Sequence, residues 1–205
     1  MTYAANGEYA TPPMNKPTNT FVMEKTALLF LLLSCLLGPV SAEDGSRLWL
    51  RQSTDAHTQI TAPRQSPTLN IAVRELKQAW KGLPVTLVLK KDKQLSSEGF
   101  RIRQVNGKLT VTSPSETGLL YAAYHLIRLQ EMQNFGKPSE TDQEITENPA
   151  YDLRILNHWD NLDRSIERGY AGKSLWNWEE LPGTLSDRYE AYARANASIG
   201  IMQRY

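Results

Sequence analysis

The chain has 205 residues, with 23 basic and 22 acidic side chains for a formal net charge of +1. That length accommodates one full domain and part of a second. The balanced charge, with no block of like charges, removes the electrostatic case for a nucleic-acid or acidic-polymer partner.

Residues 1–42 do not read as fold material. Met1–Val22 is polar, contains Pro12, Pro13 and Pro17, and has no periodicity. Lys25 then precedes an apolar run, Ala27–Leu37, a Gly38-Pro39 break and Val40-Ser41-Ala42. A positive start, a short apolar run and small residues before a cut describe a secretory signal, and the run is too short to span a bilayer as a helix. Export to a periplasmic or extracellular space is therefore expected, with translation starting at Met23 and cleavage after Ala42. A second reading cuts before Cys35 and leaves a lipidated cysteine. Cys35 is the only cysteine, so cleavage at Ala42 leaves no disulfide framework and no cysteine-based metal site.

Residues 43–136 read as an α/β domain. Arg47–Arg51 has the composition of a short strand. Ser66-Pro67 opens a helix, with a good cap residue and proline at the first helical position. Leu69, Ala72, Val73, Leu76 and Trp80 share one face at helical spacing, and Gly82 supplies the stop. Val85–Leu89 is a β-rich run. From Gly99 to Ser113, Phe100, Ile102, Leu109 and Val111 alternate with polar residues around Asn106-Gly107, a pair suited to a tight hairpin turn. A second helix is expected from about Glu116 to Asn134, striped by Leu119, Ala122, Ala123, Leu126 and Leu129 and closed by Phe135-Gly136. Two amphipathic helices on one face of a small mixed sheet give a two-layer α/β domain.

Residues 137–149 are polar, contain Pro138 and Pro149, and read as a linker. A second domain starts at residue 150. Tyr151–Asn157 reads as a strand, and His158-Trp159-Asp160-Asn161-Leu162-Asp163 as a polar, aromatic loop. Trp159, Trp176 and Trp178 fall close together in otherwise polar sequence. Flat rings beside carboxylates and amides suit sugar recognition, because a pyranose face stacks on a ring and its hydroxyls take bidentate hydrogen bonds. The same tryptophans fit equally well as packing at a domain interface. Ser186 caps a further helix to about Ile199, with Leu185, Tyr189 and Ala193 on one side and Gly200 as the stop. Asn196-Ala197-Ser198 matches a glycosylation acceptor but sits inside that helix. Metal-ligand spacing, a phosphate-cradling glycine loop and a nucleophile elbow are all missing from the sequence, and no metal or cofactor is expected.

Two stretches carry a family resemblance. Glu98-Gly99-Phe100 with Glu116-Thr117-Gly118-Leu119-Leu120-Tyr121-Ala122-Ala123 is similar to the accessory domains that precede the barrels of hexosaminidases and of family 67 α-glucuronidases. Arg154–Asp163, with Ser165-Ile166-Glu167-Arg168-Gly169-Tyr170-Ala171-Gly172 and Ser174-Leu175-Trp176, resembles the opening of the family 67 catalytic domain. The resemblance covers roughly residues 43–201. It implies an accessory domain followed by the first βα unit of a (β/α)8 TIM barrel, with Leu153–Asn157 as its first strand. Barrel chemistry sits at the C-terminal ends of strands. The resemblance therefore puts His158, Trp159, Asp160 and Asn161 at the rim and Glu167 and Arg168 on the first βα loop, as substrate-binding residues.

The activity implied is inverting hydrolysis of α-1,2-linked glucuronic acid, often 4-O-methylated, from xylo-oligosaccharides, with aldouronic acids as substrate and a homodimer in the intact relative. Glycoside hydrolysis needs two placed carboxyls, and the resemblance puts them past Tyr205. Asp160, Asp163 and Glu167 then hold the loop or orient substrate, and the chain itself is expected to be inactive. A barrel needs about 250 residues, so the part after Asn148 is expected to be poorly ordered alone. The alternatives are a non-catalytic accessory module and a piece of another exo-glycosidase such as a hexosaminidase.

Overall fold

The computed structural model of the protein describes residues 49–50, 57–132 and 142–202. The expected signal segment, the Cys35 cut site, Phe135-Gly136 and most of the strand expected at Arg47–Arg51 lie outside the described residues.

Among the described residues, five strands and three helices follow in the order β1 (Ile60–Thr61), α1 (Pro67–Ala79), β2 (Val85–Leu89), β3 (Phe100–Val105), β4 (Lys108–Ser113), α2 (Glu116–Met132), β5 (Gln143–Glu147) and α3 (Asp187–Ser198). The strands form one sheet in the order β1-β2-β4-β3-β5. β1 runs parallel to β2 and β2 parallel to β4, while β3 is antiparallel to both β4 and β5. The parallel pairs arise because a helix or a hairpin arm intervenes, and the antiparallel pair β3–β4 arises from the two-residue turn. That turn is Asn106 at φ 49° and Gly107 at φ 70°, the left-handed geometry both residues tolerate and a tight hairpin requires.

Alternation along the strands fixes one buried face. Val85, Leu87, Phe100, Ile102, Leu109 and Val111 point into the core with at most 7% exposure. In register, Val85 faces Leu109, and Val111 faces both Leu87 and Ile102. α1 and α2 cover that face together, and Leu69, Ala72, Leu76, Trp80, Leu119, Ala122, Ala123 and Leu126 complete the cluster. The two-layer α/β arrangement is thus present, and its opposite sheet face carries Thr86, Arg103 and Thr110 to solvent.

Local chemistry sets the helix ends. Ser66 Oγ accepts from the Leu69 N–H at 3.2 Å and caps α1. The same hydroxyl donates to Glu116 Oε2 at 2.6 Å, tying the starts of α1 and α2 together. At the far end, the Gln130 side chain donates to Ala79 O at 2.9 Å and accepts from Lys81 N–H at 2.7 Å, which satisfies groups that a helix terminus otherwise leaves open. Gly118 makes the close approach of α2 to the hairpin feasible. A methyl group there would overlap Ser113 Oγ and stand 3.0 Å from Gly99 O.

Three findings revise the sequence reading. Within the expected linker, Gln143–Glu147 forms β5 on the edge of the sheet. Its single apolar residue, Ile145, faces Ile102, and Glu144 pairs with Arg101 at 3.2 Å and Arg103 at 2.8 Å. Tyr151–Asn157 forms no strand: it is extended without a ladder, and Leu153 (63%), Ile155 (52%) and Leu156 (45%) are exposed. A strand needs a ladder of paired backbone groups, and among the described residues the bond from Met202 N–H to Arg154 O is not extended into one. Leu185, ahead of the Ser186 cap, is 71% exposed, and on α3 the buried residues are Tyr189, Asn196 and Ser198 rather than a Leu185–Tyr189–Ala193 side.

α3 is fastened to the two-layer part. Arg194 reaches across to Glu75 of α1, donating from Nε and Nη2 to its two carboxylate oxygens at 2.8–3.0 Å. Glu75 is 1% exposed. Arg128 of α2 donates to Ser198 O at 2.6 Å, closing the C-terminal end of α3. Arg154 pairs with Glu98 and donates to Gly200 O at 2.7 Å, while Met202 N–H donates to Arg154 O at 2.7 Å. Gly200, at φ 75°, ends the helix as its sequence indicates.

Candidate functional site

The loop from His158 to Trp178 is built by its own backbone. Asn161 N–H donates to Ser165 O at 2.9 Å and Arg164 N–H returns to Asn161 O at 2.9 Å. Asp160 bridges to Ile166, and Ser165 to Lys173. Glu167 N–H donates to Trp159 O at 2.8 Å, and Ser174 N–H to Arg164 O at 2.8 Å. Gly169 and Gly172, at φ 92° and 91°, make the reversals, a conformation in which a β-carbon is costly. Arg164 and Glu167 also take positive φ, 69° and 55°. Side chains of non-glycine residues at such angles are held by their surroundings and tend to mark functional loops.

The expected site residues divide by what their side chains do. Asn161 works inward: its Nδ2 donates to Glu167 O at 2.6 Å and to Ser165 Oγ at 2.9 Å. Asp160, with its side chain 8% exposed, accepts from Ser174 Oγ at 3.0 Å and faces His158 Nδ1 at 3.6 Å. Asp163 folds back on Ser165, whose hydroxyl and N–H donate to Oδ1 at 2.7 and 2.9 Å. These hydrogen bonds, the side-chain one foremost, hold the Asp163 carboxyl below the usual range. Trp159 is 61% exposed and its ring stands in solvent. Arg168 is exposed, and Glu167 is half-buried. The Glu167 carboxylate accepts from the Tyr170 hydroxyl and pushes that phenol upward. The backbone bond from Glu167 N–H to Trp159 O sets those two residues side by side, with Arg168 next in the chain, and Asn161, Asp160 and Asp163 are the loop's internal ties.

Tyr189 and Tyr192, which the sequence reading did not assign to the site, complete it around Trp176. Trp176 stacks on Tyr189 at 5.2 Å between centroids and meets His158 and Tyr192 edge-on at 5.8 and 5.6 Å. Tyr189 Oη accepts from Asn177 N–H at 2.9 Å. The signal for them was available in part: Tyr189 and Tyr192 lie three apart, on one face of a helix. Beside this aromatic group is a cavity of about 590 Å³ lined by Leu153, Ile155, Leu156, Trp176, Trp178 and Tyr189, among others. Among the described residues no group of three or more His, Cys, Asp or Glu could hold a metal ion, and no helix is long and apolar enough to cross a membrane.

Residues 134–204 match the model of the glycosyl hydrolase family 67 middle domain. The chain is 30% identical over 216 residues to "Alpha-glucuronidase A" of Aspergillus tubingensis, an alignment covering 87% of this chain and 25% of that protein. It is 37% identical over 109 residues to "Probable alpha-glucuronidase A" of Aspergillus clavatus, covering 53% and 12%. "Alpha-glucuronidase A" of Emericella nidulans is 27% identical over 219 residues, covering 84% and 25%. The chain spans about a quarter of the length of the first of these relatives. Among solved structures, a GH138 enzyme targeting pectin rhamnogalacturonan II aligns over 47% of this chain and 12% of its own at 22% identity and a TM-score of 0.38, a likeness on which nothing rests here.

An α/β layer running into a tied, tryptophan-bearing loop is thus what this chain has in common with part of the glycosidases it is similar to. Within that class, residues 134–204 match the glycosyl hydrolase family 67 middle domain, the family that the stretch from Arg154 to Trp176 resembles.

Proposed function

We propose that this chain supplies the accessory domain and the first substrate-facing wall of an α-glucuronidase. That enzyme hydrolyses α-1,2-linked glucuronic acid, including its 4-O-methyl form, from xylo-oligosaccharides. The observation that carries the reading is the family match over residues 134–204, which falls on the loop that bears Trp159, Glu167 and Arg168. The chemistry suits a uronic acid. A planar guanidinium pairs with a carboxylate through two parallel hydrogen bonds, and an exposed indole offers a stacking face for a pyranose. Arg168 and Trp159 provide these groups. Glu167 takes sugar hydroxyls, and Asp160 and Asn161 keep the loop in shape.

The same reading makes Leu153–Asn157 the first strand of a (β/α)8 barrel and α3 its first helix. The exposed Leu153, Ile155 and Leu156 and the apolar cavity beside them support it, since barrel strands bury both faces. Hydrolysis proceeds with inversion, through an acid and a base on later strands. Asp160 and Asp163 are engaged by Ser174 and by Ser165 and serve the loop, so this polypeptide alone does not turn over substrate. Names of α-glucuronidases among the relatives favour this reading over a hexosaminidase. We further infer export by the segment ahead of residue 43, which the mass of the mature N-terminus would test.

Incubating the purified chain with aldouronic acids and measuring released glucuronic acid tests the assignment of roles. Release no faster than in buffer is expected. Turnover clearly above buffer would overturn the statement that the chain lacks the acid–base pair.

A further inference from the structure

A line of polar contacts crosses from the loop to α3. Trp176 N–H donates to Ser174 Oγ at 2.9 Å, and Ser174 Oγ donates to Asp160 Oδ2 at 3.0 Å. That carboxylate oxygen faces His158 Nδ1 at 3.6 Å, and His158 Nε2 lies 2.5 Å from Tyr192 Oη. An ionised carboxylate only accepts, so the ring nitrogen turned toward it is best occupied by a proton. In a neutral imidazole the other nitrogen is then an acceptor, and the phenol, with one hydrogen to give, donates to Nε2.

We propose that Tyr192 is a positioning residue of the sugar site, fixing His158 as its Nδ1–H tautomer and holding the imidazole edge-on against Trp176. The proposal rests on the reading of this loop as a glucuronate site. Three observations carry it. The His158 side chain is 38% exposed, within reach of a ligand, while its Nε2 is held by Tyr192 Oη. His158 adjoins Trp159 in the chain, and its ring centroid lies 5.8 Å from that of Trp176 at 71°. α3 is also braced from behind, because Arg194 is bound through two oxygens of the buried Glu75, which gives Tyr192 a fixed base from which to act.

The consequence for specificity is concrete. Both imidazole nitrogens are turned to protein groups, so His158 presents ring carbons to a ligand rather than a polar atom. Tyr192, with its hydrogen committed to Nε2, keeps only acceptor capacity.

The test uses the full chain, labelled with ¹⁵N, and long-range ¹⁵N–¹H correlation of the His158 ring at pH 8, where an ordinary imidazole is neutral. The wild type should show Nδ1 protonated and Nε2 bare. In Tyr192→Phe the populations should move toward Nε2–H, and the apparent affinity for glucuronic acid should fall by roughly tenfold, the scale of one lost hydrogen bond. A wild-type ring already in the Nε2–H form would overturn the proposal. So would a folded Tyr192→Phe with tautomer and affinity both unchanged. Should that variant fail to fold, the wild-type tautomer decides alone. A tautomer shift in a protein that shows no response to glucuronic acid would overturn the sugar reading and leave the role of Tyr192 intact.

Discussion

Glu75 is the residue whose environment and chemistry are most at odds. It lies on the buried side of α1 between Ala72 and Ala79, and it is tolerable there only because Arg194 answers both its oxygens. Removing one partner of a buried pair strands the other and typically costs about 3–5 kcal/mol. Arg194 retains 24% side-chain exposure, so Glu75→Ala should fall at the lower end, about 3 kcal/mol, read from the urea midpoint. A loss under ~0.5 kcal/mol would show that the pair is dispensable.

His125 sets a pH dependence of known sign. Burial, chiefly, lowers its affinity for a proton, with Arg128 adding to this and Glu147 opposing it, while its ring packs against Phe100 at 5.3 Å. The unfolded chain therefore binds the proton more readily than the folded one. This penalty is absent well above about pH 6.5 and grows as pH falls below it. His125→Asn should narrow the difference in stability between pH 8 and pH 5, measured by denaturant titration at both. An undiminished difference would assign the acid sensitivity elsewhere. Below about pH 4 the depressed carboxyls take over. The hydrogen bond from Ser66 lowers Glu116, and the Gln94 N–H lowers Asp92. Their stabilisation is present above the ordinary carboxyl range and is lost as pH falls through their folded values.

At the scale of elements, much of the accessory layer was readable because its signals are local. Ser66-Pro67 names the start of α1, Asn106-Gly107 names the hairpin, and alternation from Phe100 to Val111 names its buried face. Gly118, where α2 meets the hairpin, yields a prediction: Gly118→Ala must displace Ser113 and press on the carbonyls of Gly99 and Glu98. Overpacking of this kind costs about 1–3 kcal/mol, so a midpoint shift of that size is expected, and an unchanged midpoint would mean that α2 slides freely on the hairpin. What escaped the sequence is non-local. β5 carries one apolar residue and is held by Arg101 and Arg103, some forty residues earlier in the chain, so no alternation announces it. Glu75 breaks an apolar stripe for the sake of a partner 119 residues away. Leu153–Asn157 has strand composition, yet composition alone supplies no neighbouring strand to bond with. In the site, the tryptophans and the loop were legible as residue types. The role of Tyr192 was not, because a tyrosine on a helix gives no sign of which imidazole it meets.

For the whole molecule, the segment after residue 150 bears on how the site is held. Poor order was expected after about Asn148 for the chain alone, because one βα unit cannot bury its own apolar faces, and amide exchange is the measurement that decides it. In the structure, Arg194–Glu75, Arg154–Glu98 and Arg128–Ser198 fasten α3 to the accessory layer. The account predicts that α3 amides exchange with solvent more slowly than those of Leu153–Asn157, which lack a ladder; equal, rapid exchange in both would show that these contacts do not hold α3 in solution. The accessory layer then acts as the base from which the tryptophan loop is presented. The claim at the centre is that this loop recognises a uronic acid. It is tested most directly by titrating the chain with an aldobiouronic acid while following its indole N–H signals. The account predicts saturable shifts at Trp159, Trp176 and Trp178, with the buried Trp80, whose Nε1 donates to Leu83 O at 2.8 Å, unmoved. No saturable shift in those three, or an equal shift in Trp80, would contradict it.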